Sequence, residues 1–210
     1  IAGSPGLRFS QTALETGKNL ALANKETIVM AGHIIRDMAR ANGVQILPVD
    51  SEHSAIFSLI EAHGRNTIHK IILTASGGPF RTWDKDAIHG ATVEQALRHP
   101  TWSMGAKITI DSASMANKGL EIIEAVRLFD LAPEQVSVVI HPQSLIHSLV
   151  QTLDGMLYAQ VSPPDMRHPI IAALDWPETR PNHLQPLDLS NPVTIELYPP
   201  RTDAFPMLTL

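Results

Sequence analysis

Ile28, Ala31, Ile34, Ile35 and Met38 recur at helical spacing and Gly43 stands just past them, which predicts an amphipathic helix over 26–41. An apolar-rich run at 44–49 follows and reads as a buried strand. Upstream, a Gly/Pro turn at 1–6, a short helix at 11–16 stopped by Gly17, and a strand at 19–23 complete the first part of the chain. Downstream, the pattern predicts a helix at 54–63 ended by Gly64 and a strand at 68–75. This β-α-β-α-β spacing leads to the expectation of a parallel sheet. A short helix at 92–98, opened by the capping-box pair Thr92 and Gln95, a loop at 99–105, a strand at 107–110, a helix at 119–129 and a strand at 136–140 come next. Asp154-Gly155 between the apolar runs 145–152 and 156–161 then signals a hairpin, so the sheet there should be partly antiparallel. A helix at 165–176 is followed by prolines at 177, 181, 186, 192, 199, 200 and 206, an extended connector with little regular structure. The fold class expected is α/β followed by α+β.

Composition narrows the function classes. The chain has 210 residues, enough for one good core or two small ones, and 44% hydrophobic with 18% charged residues is the profile of a folded protein. A net charge of −5 gives no general nucleic-acid surface. The absence of cysteine excludes disulfides, thiolate zinc sites and thiol nucleophiles. No apolar run is long enough to span a membrane, and no signal-peptide pattern is expected within these 210 residues. Ile1 at the start and an apolar pattern interrupted at 205–210 lead to the expectation of an internal piece of a longer protein.

Five groups could carry chemistry. Asp50 and Glu52 lie between the 44–49 strand and the next helix. Two apart in extended backbone, they can converge at the carboxyl end of a strand and invite a hard cation such as Mg²⁺ or Mn²⁺. The alternative is a plain helix N-terminus, with Asp50 or Ser51 as cap and Glu52 favourable to the dipole. Residues 111–121, expected between a strand and a helix, offer Ser112, Asn117 and Lys118 as donors suited to a phosphate. Asn117 and Glu121 stand four apart, so Glu121 can add a third carboxylate on the same face; a cap with a solvated lysine explains the stretch equally. Ser76-Gly77-Gly78 permits close backbone approach to a ligand, or is simply a tight turn. The 99–105 loop, with His99, Trp102, Met104 and the Gly105 hinge, fits a lid or an anchored surface loop. His141 and His147 are candidates that structural roles explain as well.

Six stretches taken together are similar to one family: Ala-Asn-Lys-Glu at 23–26, Pro-Val-Asp-Ser-Glu-His at 48–53, Ser-Gly-Gly-Pro-Phe at 76–80, His-Pro-Thr-Trp-Ser-Met-Gly at 99–105, Asp-Ser-Ala-Ser-Met-Ala-Asn-Lys-Gly-Leu-Glu at 111–121 and His-Pro-Gln-Ser-Leu-Ile-His-Ser at 141–148. Each motif is weak alone; six in register along the chain resemble 1-deoxy-D-xylulose 5-phosphate reductoisomerase, in its central catalytic portion. The resemblance implies an enzyme of the non-mevalonate isoprenoid pathway. It uses NADPH and a divalent cation (Mg²⁺, Mn²⁺ or Co²⁺), acts on a phosphosugar as a homodimer, and works in the bacterial cytoplasm or plastid stroma. It implies Asp50, Glu52 and Glu121 as metal carboxylates, and Lys25, Ser51, Glu52 and Glu121 near the reacting carbons. Ser76, Ser112, Asn117 and Lys118 match a phosphate site; His99, Trp102 and Met104 match a loop that covers substrate, with His99 among the catalytic set. Asn24, Glu26 and Gly105 match positions lining the cofactor, and His147 matches a family histidine. The implied division is 1–47 as the end of a Rossmann-like NADPH domain, 48–176 as a mixed-sheet catalytic domain, and 177–210 as connector and start of a helical domain. The family's glycine-rich nucleotide turn should lie before Ile1. Two rival readings are a phosphosugar-binding module with a structural metal, and a metal-dependent phosphosugar aldolase or isomerase that uses no nicotinamide.

Overall fold

The structure, a computed structural model, describes residues 1 and 3–209. Its first layer holds α1 (Gly6–Glu15), β1 (Leu20–Leu22), α2 (Lys25–Ala41) and β2 (Ile46–Pro48). β1 and β2 pair in parallel, Leu20 opposite Ile46 and Leu22 opposite Pro48. The periodic apolar face of α2 packs Ile28, Ala31, Ile35 and Ala39 against Leu14 of α1 and Leu22 of β1, which makes a separate small core. Asn24 caps α2 by accepting the Thr27 N–H at 2.8 Å.

The second layer begins with α3 (Ser51–His63) and β3 (Ile68–Ala75), continues through α4 (Lys85–His89), α5 (Val93–Ala96), α6 (Ala106–Ala113) and α7 (Ala116–Phe129), and closes with β4 (Val136–Ile140), β5 (Ile146–Thr152), β6 (Leu157–Val161) and α8 (Arg167–Asp175). The strands form a four-stranded sheet in the order β4-β3-β5-β6, with β3–β4 parallel and the other pairs antiparallel. Ile56 and Ile60 of α3 and Ala125 of α7 bury themselves against Ile71, Leu73 and Val150 of that sheet. The mixed sheet, the Asp-Gly hairpin and the capping box at Thr92 follow the sequence expectation.

Three expectations need correction. A single parallel sheet running on from β1 and β2 into 68–75 does not form: β3 is paired on both edges, by β4 and β5, and has no edge left for β2. Residues 107–110 are helical, within α6, not a strand. Lys-Ile-Thr-Ile alternates like a strand, but four residues are too few to separate a period of 2 from one of 3.6, and the burial of Thr109 and Ala113, four apart, decides for the helix. The 111–121 stretch therefore runs from the end of α6 into the first turns of α7, with the break at 114–115, where Met115 takes a left-handed conformation at φ 60°. Residues 177–205 carry no helix or ladder beyond one bridge between Ile140 and Tyr198, as the prolines suggest, and Phe205 anchors the end by packing with Ala75, Phe80, Met115 and Ile140.

Candidate active site

Asp50 leaves the end of β2 and caps α3, accepting the backbone N–H groups of Glu52 at 3.2 Å and His53 at 3.5 Å. Capping and convergence thus hold together. The two carboxylates meet through the first turn of a helix, not through extended backbone as the spacing suggested. Glu121, one turn beyond Asn117 on α7, reaches the same point: Asp50, Glu52 and Glu121 each offer an oxygen, all within 4.8 Å of one another.

Two ammonium groups stand among these three carboxylates. Lys25, first residue of α2, places Nζ 2.8 Å from Asp50 Oδ2, 2.9 Å from Glu121 Oε1 and 2.8 Å from Asn117 Oδ1. Lys118 donates to Glu52 Oε1 at 2.8 Å and to Glu121 Oε2, and Asn117 donates to Glu121 Oε1. Burial alone would lower both lysines; the surrounding carboxylates outweigh it and raise them. Burial raises Asp50, yet Lys25 and His53 hold it well below the usual carboxylate range. Glu52 goes the other way, to about 7, through burial and repulsion from Glu121. Three carboxylates face two ammonium groups in the cluster. An oxygen-only donor set of that kind fits a hard divalent cation.

Behind Asp50 stands a pair that the sequence reading passed over. His53 is fully buried, with Nδ1 3.0 Å from Asp50 Oδ1 and 3.5 Å from Glu124 Oε2, and Nε2 3.0 Å from the Glu121 backbone oxygen. Burial would depress this imidazole, but Glu124 and Asp50 raise it to about 9. Glu124 is itself pushed up to about 7 by burial, with His53 opposing. The signal was available: His53 is three residues after the capping Asp50, and Glu124 is three after Glu121 on one helical face.

The other end of the cavity is built around the imidazole of His99. Its Nδ1 accepts the backbone N–H groups of Thr101 at 3.1 Å and Trp102 at 2.9 Å, which assigns the proton to Nε2. Nε2 lies 3.0 Å from Ser76 Oγ and 3.1 Å from Ser112 Oγ. Burial lowers its pKa, in keeping with a neutral ring. The four residues matched to phosphate thus divide: Ser76 and Ser112 hang on His99, while Asn117 and Lys118 serve the carboxylates.

A cavity of about 250 Å³ joins both ends. Lys25, Asp50, Ser51, Glu52, Ser76, His99, Trp102, Met104, Ser112, Asn117, Lys118, Glu121 and His147 all line it, as do Ser103, Ser144 and Ile146, which lie within the 99–105 and 141–148 stretches but were given no role there. Ser51 Oγ donates to Glu52 Oε2 at 2.6 Å, and His147 Nε2 stands 3.2 Å from the Ser162 backbone oxygen. His141 lies elsewhere, buried, with Nδ1 2.9 Å from the Glu196 backbone oxygen at the connector. Asn24, Glu26 and Gly105 line a second cavity of about 650 Å³, where Glu26 also pairs with Lys107 at 2.9 Å. The two cavities share Ala23, Lys25, Ile108 and Asn117 as a common wall.

Three family models match the chain: the 1-deoxy-D-xylulose 5-phosphate reductoisomerase model over residues 1–32, the C-terminal domain model of that enzyme over 46–129, and the DXP reductoisomerase C-terminal domain model over 161–210. A 1-deoxy-D-xylulose 5-phosphate reductoisomerase of Treponema denticola is 55% identical over the whole chain, and one of Treponema pallidum is 50% identical. The chain belongs to this family. It spans about half the length of these curated relatives, 55% and 56%. Among solved structures, a DOX-P reductoisomerase in complex with NADPH, fosmidomycin and magnesium superposes on the whole chain with a TM-score of 0.92 at 44% identity, over 54% of its own length. The Zymomonas mobilis reductoisomerase in complex with NADPH does so with a TM-score of 0.92 at 45% identity, also over 54%. The α/β and α+β fold read from the sequence is that of these family members.

Proposed function

We propose that this chain is the metal- and substrate-binding portion of an NADPH-dependent reductoisomerase, which converts 1-deoxy-D-xylulose 5-phosphate to 2-C-methyl-D-erythritol 4-phosphate. One observation carries the reading: a cavity holding three converging carboxylates shares a wall, through Lys25 and Asn117, with a second cavity lined by Asn24, Glu26 and Gly105. A cation and a reductant could therefore act on one substrate from adjacent spaces. The division into 1–47, 48–176 and 177–210 belongs to this proposal, the first piece contributing part of a nucleotide site.

In this reading Asp50, Glu52 and Glu121 would hold the cation, which when bound supplies a Lewis acid for the neighbouring oxygens of an α-hydroxy ketone. NADPH, when bound, supplies hydride, and the protein supplies position. Glu52, lining the cavity beside the proposed cation, is placed to help move a substrate hydroxyl proton. Lys25, bridging Asp50 and Glu121, presents an ammonium beside the reacting oxygens. Ser76, Ser112 and His99 receive the phosphate, so that binding far from the reacting carbons orients them. Trp102 and Met104, half-buried on a loop without regular structure, exclude water when substrate is present.

A homodimer is part of the same proposal. β6 is an edge strand with Leu157 50% and Val161 41% exposed, a surface that a second copy of the chain would cover. Among the described residues no helix is long and apolar enough to cross a membrane. The bacterial cytoplasm is the compartment proposed, with the plastid stroma as the alternative.

The test is an assay of the intact protein for NADPH oxidation. Oxidation that requires both 1-deoxy-D-xylulose 5-phosphate and Mg²⁺ or Mn²⁺ is the expected result. Substrate conversion without NADPH oxidation would favour a phosphosugar isomerase, and binding without turnover a phosphosugar-binding module; either would sink the proposal.

A further inference from the structure

We propose that His53 and Glu124 are a positioning pair that fixes Asp50 of α3 against the backbone of α7, so that the carboxylates of both helices meet at one point. This rests on the reading of Asp50, Glu52 and Glu121 as cation ligands.

Three contacts converge on the ring. Nδ1 lies 3.0 Å from Asp50 Oδ1 on its own helix and 3.5 Å from Glu124 Oε2 on α7; Nε2 lies 3.0 Å from the Glu121 carbonyl oxygen, also on α7. A rigid imidazole thus spans the gap between the two helices that carry the metal carboxylates. It holds one of them by its side chain and the other by its backbone. Asp50 Oδ1 is occupied by His53 and by the two capping N–H groups, which stops rotation of the carboxylate. Oδ2 is left on the side of Lys25, 2.8 Å from its Nζ, where Glu121 also stands. One oxygen anchors, and the other faces the side where Lys25 and Glu121 stand.

Glu124 explains why the ring stays in place. Its side chain is 2% exposed, Oε2 has no hydrogen-bond partner, and His53 Nδ1 stands 3.5 Å from it. Such a buried carboxylate is costly unless its charge is matched. Glu124 lines neither cavity, so it has no evident access to substrate. What it faces is His53 Nδ1, the nitrogen that also faces Asp50. Outer partners of this kind set the orientation of ligands that touch a metal, and their loss typically loosens metal by about 10- to 100-fold.

The two nitrogens can be tested separately in the intact protein, by titrating Mn²⁺ and following the free ion by electron paramagnetic resonance. An asparagine amide reaches the position of Nδ1 and a glutamine amide that of Nε2. The bridge needs both contacts, so His53→Asn should loosen Mn²⁺ by about threefold or more and His53→Gln by about tenfold or more. Thermal midpoints, measured without metal, should fall by similar amounts in both; a merely structural histidine would move those midpoints and leave Mn²⁺ affinity unchanged. An Mn²⁺ affinity within about threefold of the unmodified protein in either folded variant would overturn the proposal. If neither variant folds, Glu124→Gln decides: loosening by about threefold or more supports the pair, and an unchanged dissociation constant overturns it. Failure of the unmodified protein to bind Mn²⁺ would overturn the metal reading itself, and this inference with it.

Discussion

Lys118 Nζ on α7 lies 2.8 Å from Glu52 Oε1 on α3, and the lysine side chain is only 4% exposed. The ammonium reaches Glu121 as well, so one buried positive charge ties two of the three converging carboxylates. This contact gives Lys118 a role that the sequence did not suggest, since its neighbours there pointed to phosphate.

Removing that charge leaves Glu52 and Glu121 facing each other without the ammonium that ties them. Lys118→Met should therefore destabilise the metal-free protein by about 3 kcal/mol, the usual cost of breaking a buried ion pair from one side. Saturating Mg²⁺ should recover much of the loss, because a divalent ion replaces the missing charge. Urea unfolding in chelator and in excess Mg²⁺ measures both. Unchanged stability, together with a raised KM for phosphorylated substrate, would return Lys118 to the phosphate site.

Glu121 is the side chain on which both lysines and Asn117 converge, and it is 1% exposed. Glu121→Gln keeps the shape and removes one charge from the proposed cation site. Cation affinity and turnover of the intact enzyme should each fall by about tenfold or more, about 1.4 kcal/mol. Calorimetric titration with Mn²⁺ and steady-state rates check the two separately. Values unchanged in both would take Glu121 out of the site.

Which parts of this were readable from residues alone follows from the range of the interactions. Asp50 as a cap, Asn117 and Glu121 on one face, and the Asp154-Gly155 hairpin are local, and spacing of two to four residues reveals them. The helical state of 107–110 was not readable, because Lys-Ile-Thr-Ile has strand-like alternation and the burial of Thr109 and Ala113 against the rest of the fold decides it. Nor was the division of the phosphate residues: His99 is 23 residues from Ser76 and 13 from Ser112, and only the fold brings its Nε2 to both. Lys25 and Glu121, 96 residues apart, were linked by family resemblance before geometry joined them. His53 and Glu124 had local signals, but polar residues three apart on a helix are common and gave no reason for selection.

Gly78 permits the approach of its turn to the end of α6. It sits at φ +65°, and a Cβ there would stand 2.7 Å from the Ser112 backbone oxygen. Gly78→Ala should destabilise the protein by about 2 kcal/mol or more, from left-handed backbone cost and the clash together. It should also part Ser76 from Ser112 and raise the KM for phosphorylated substrate. Gly90→Ala is the control: its nearest neighbour to an added Cβ is the Ala87 carbonyl at 3.7 Å, and its effect should stay within about 0.5 kcal/mol. Equal effects of the two substitutions would remove the close-approach argument.

His147 gives the fold a dependence on pH whose sign can be worked out. Burial lowers its pKa below the ordinary value of 6.5, although its contact with the Ser162 carbonyl opposes this. The unfolded chain therefore binds more protons at this residue than the native state does, within the window just below pH 6.5. Stability from His147 is fully present above that window and is lost as pH falls through it. Glu52 and Glu124, both raised to about 7, pull the other way, so the bare pH profile mixes opposing slopes. His147→Gln isolates the effect, since its amide keeps a donor where Nε2 meets the Ser162 oxygen, at 3.2 Å in the native protein, and cannot titrate. The difference in unfolding free energy between the two proteins, measured in chelator by urea titration, should be flat above about pH 7 and shift against the histidine protein as pH falls below about 6.5. A difference curve that stays flat down to pH values well below that, or slopes the other way, would mean that His147 is accessible to protons in the folded state.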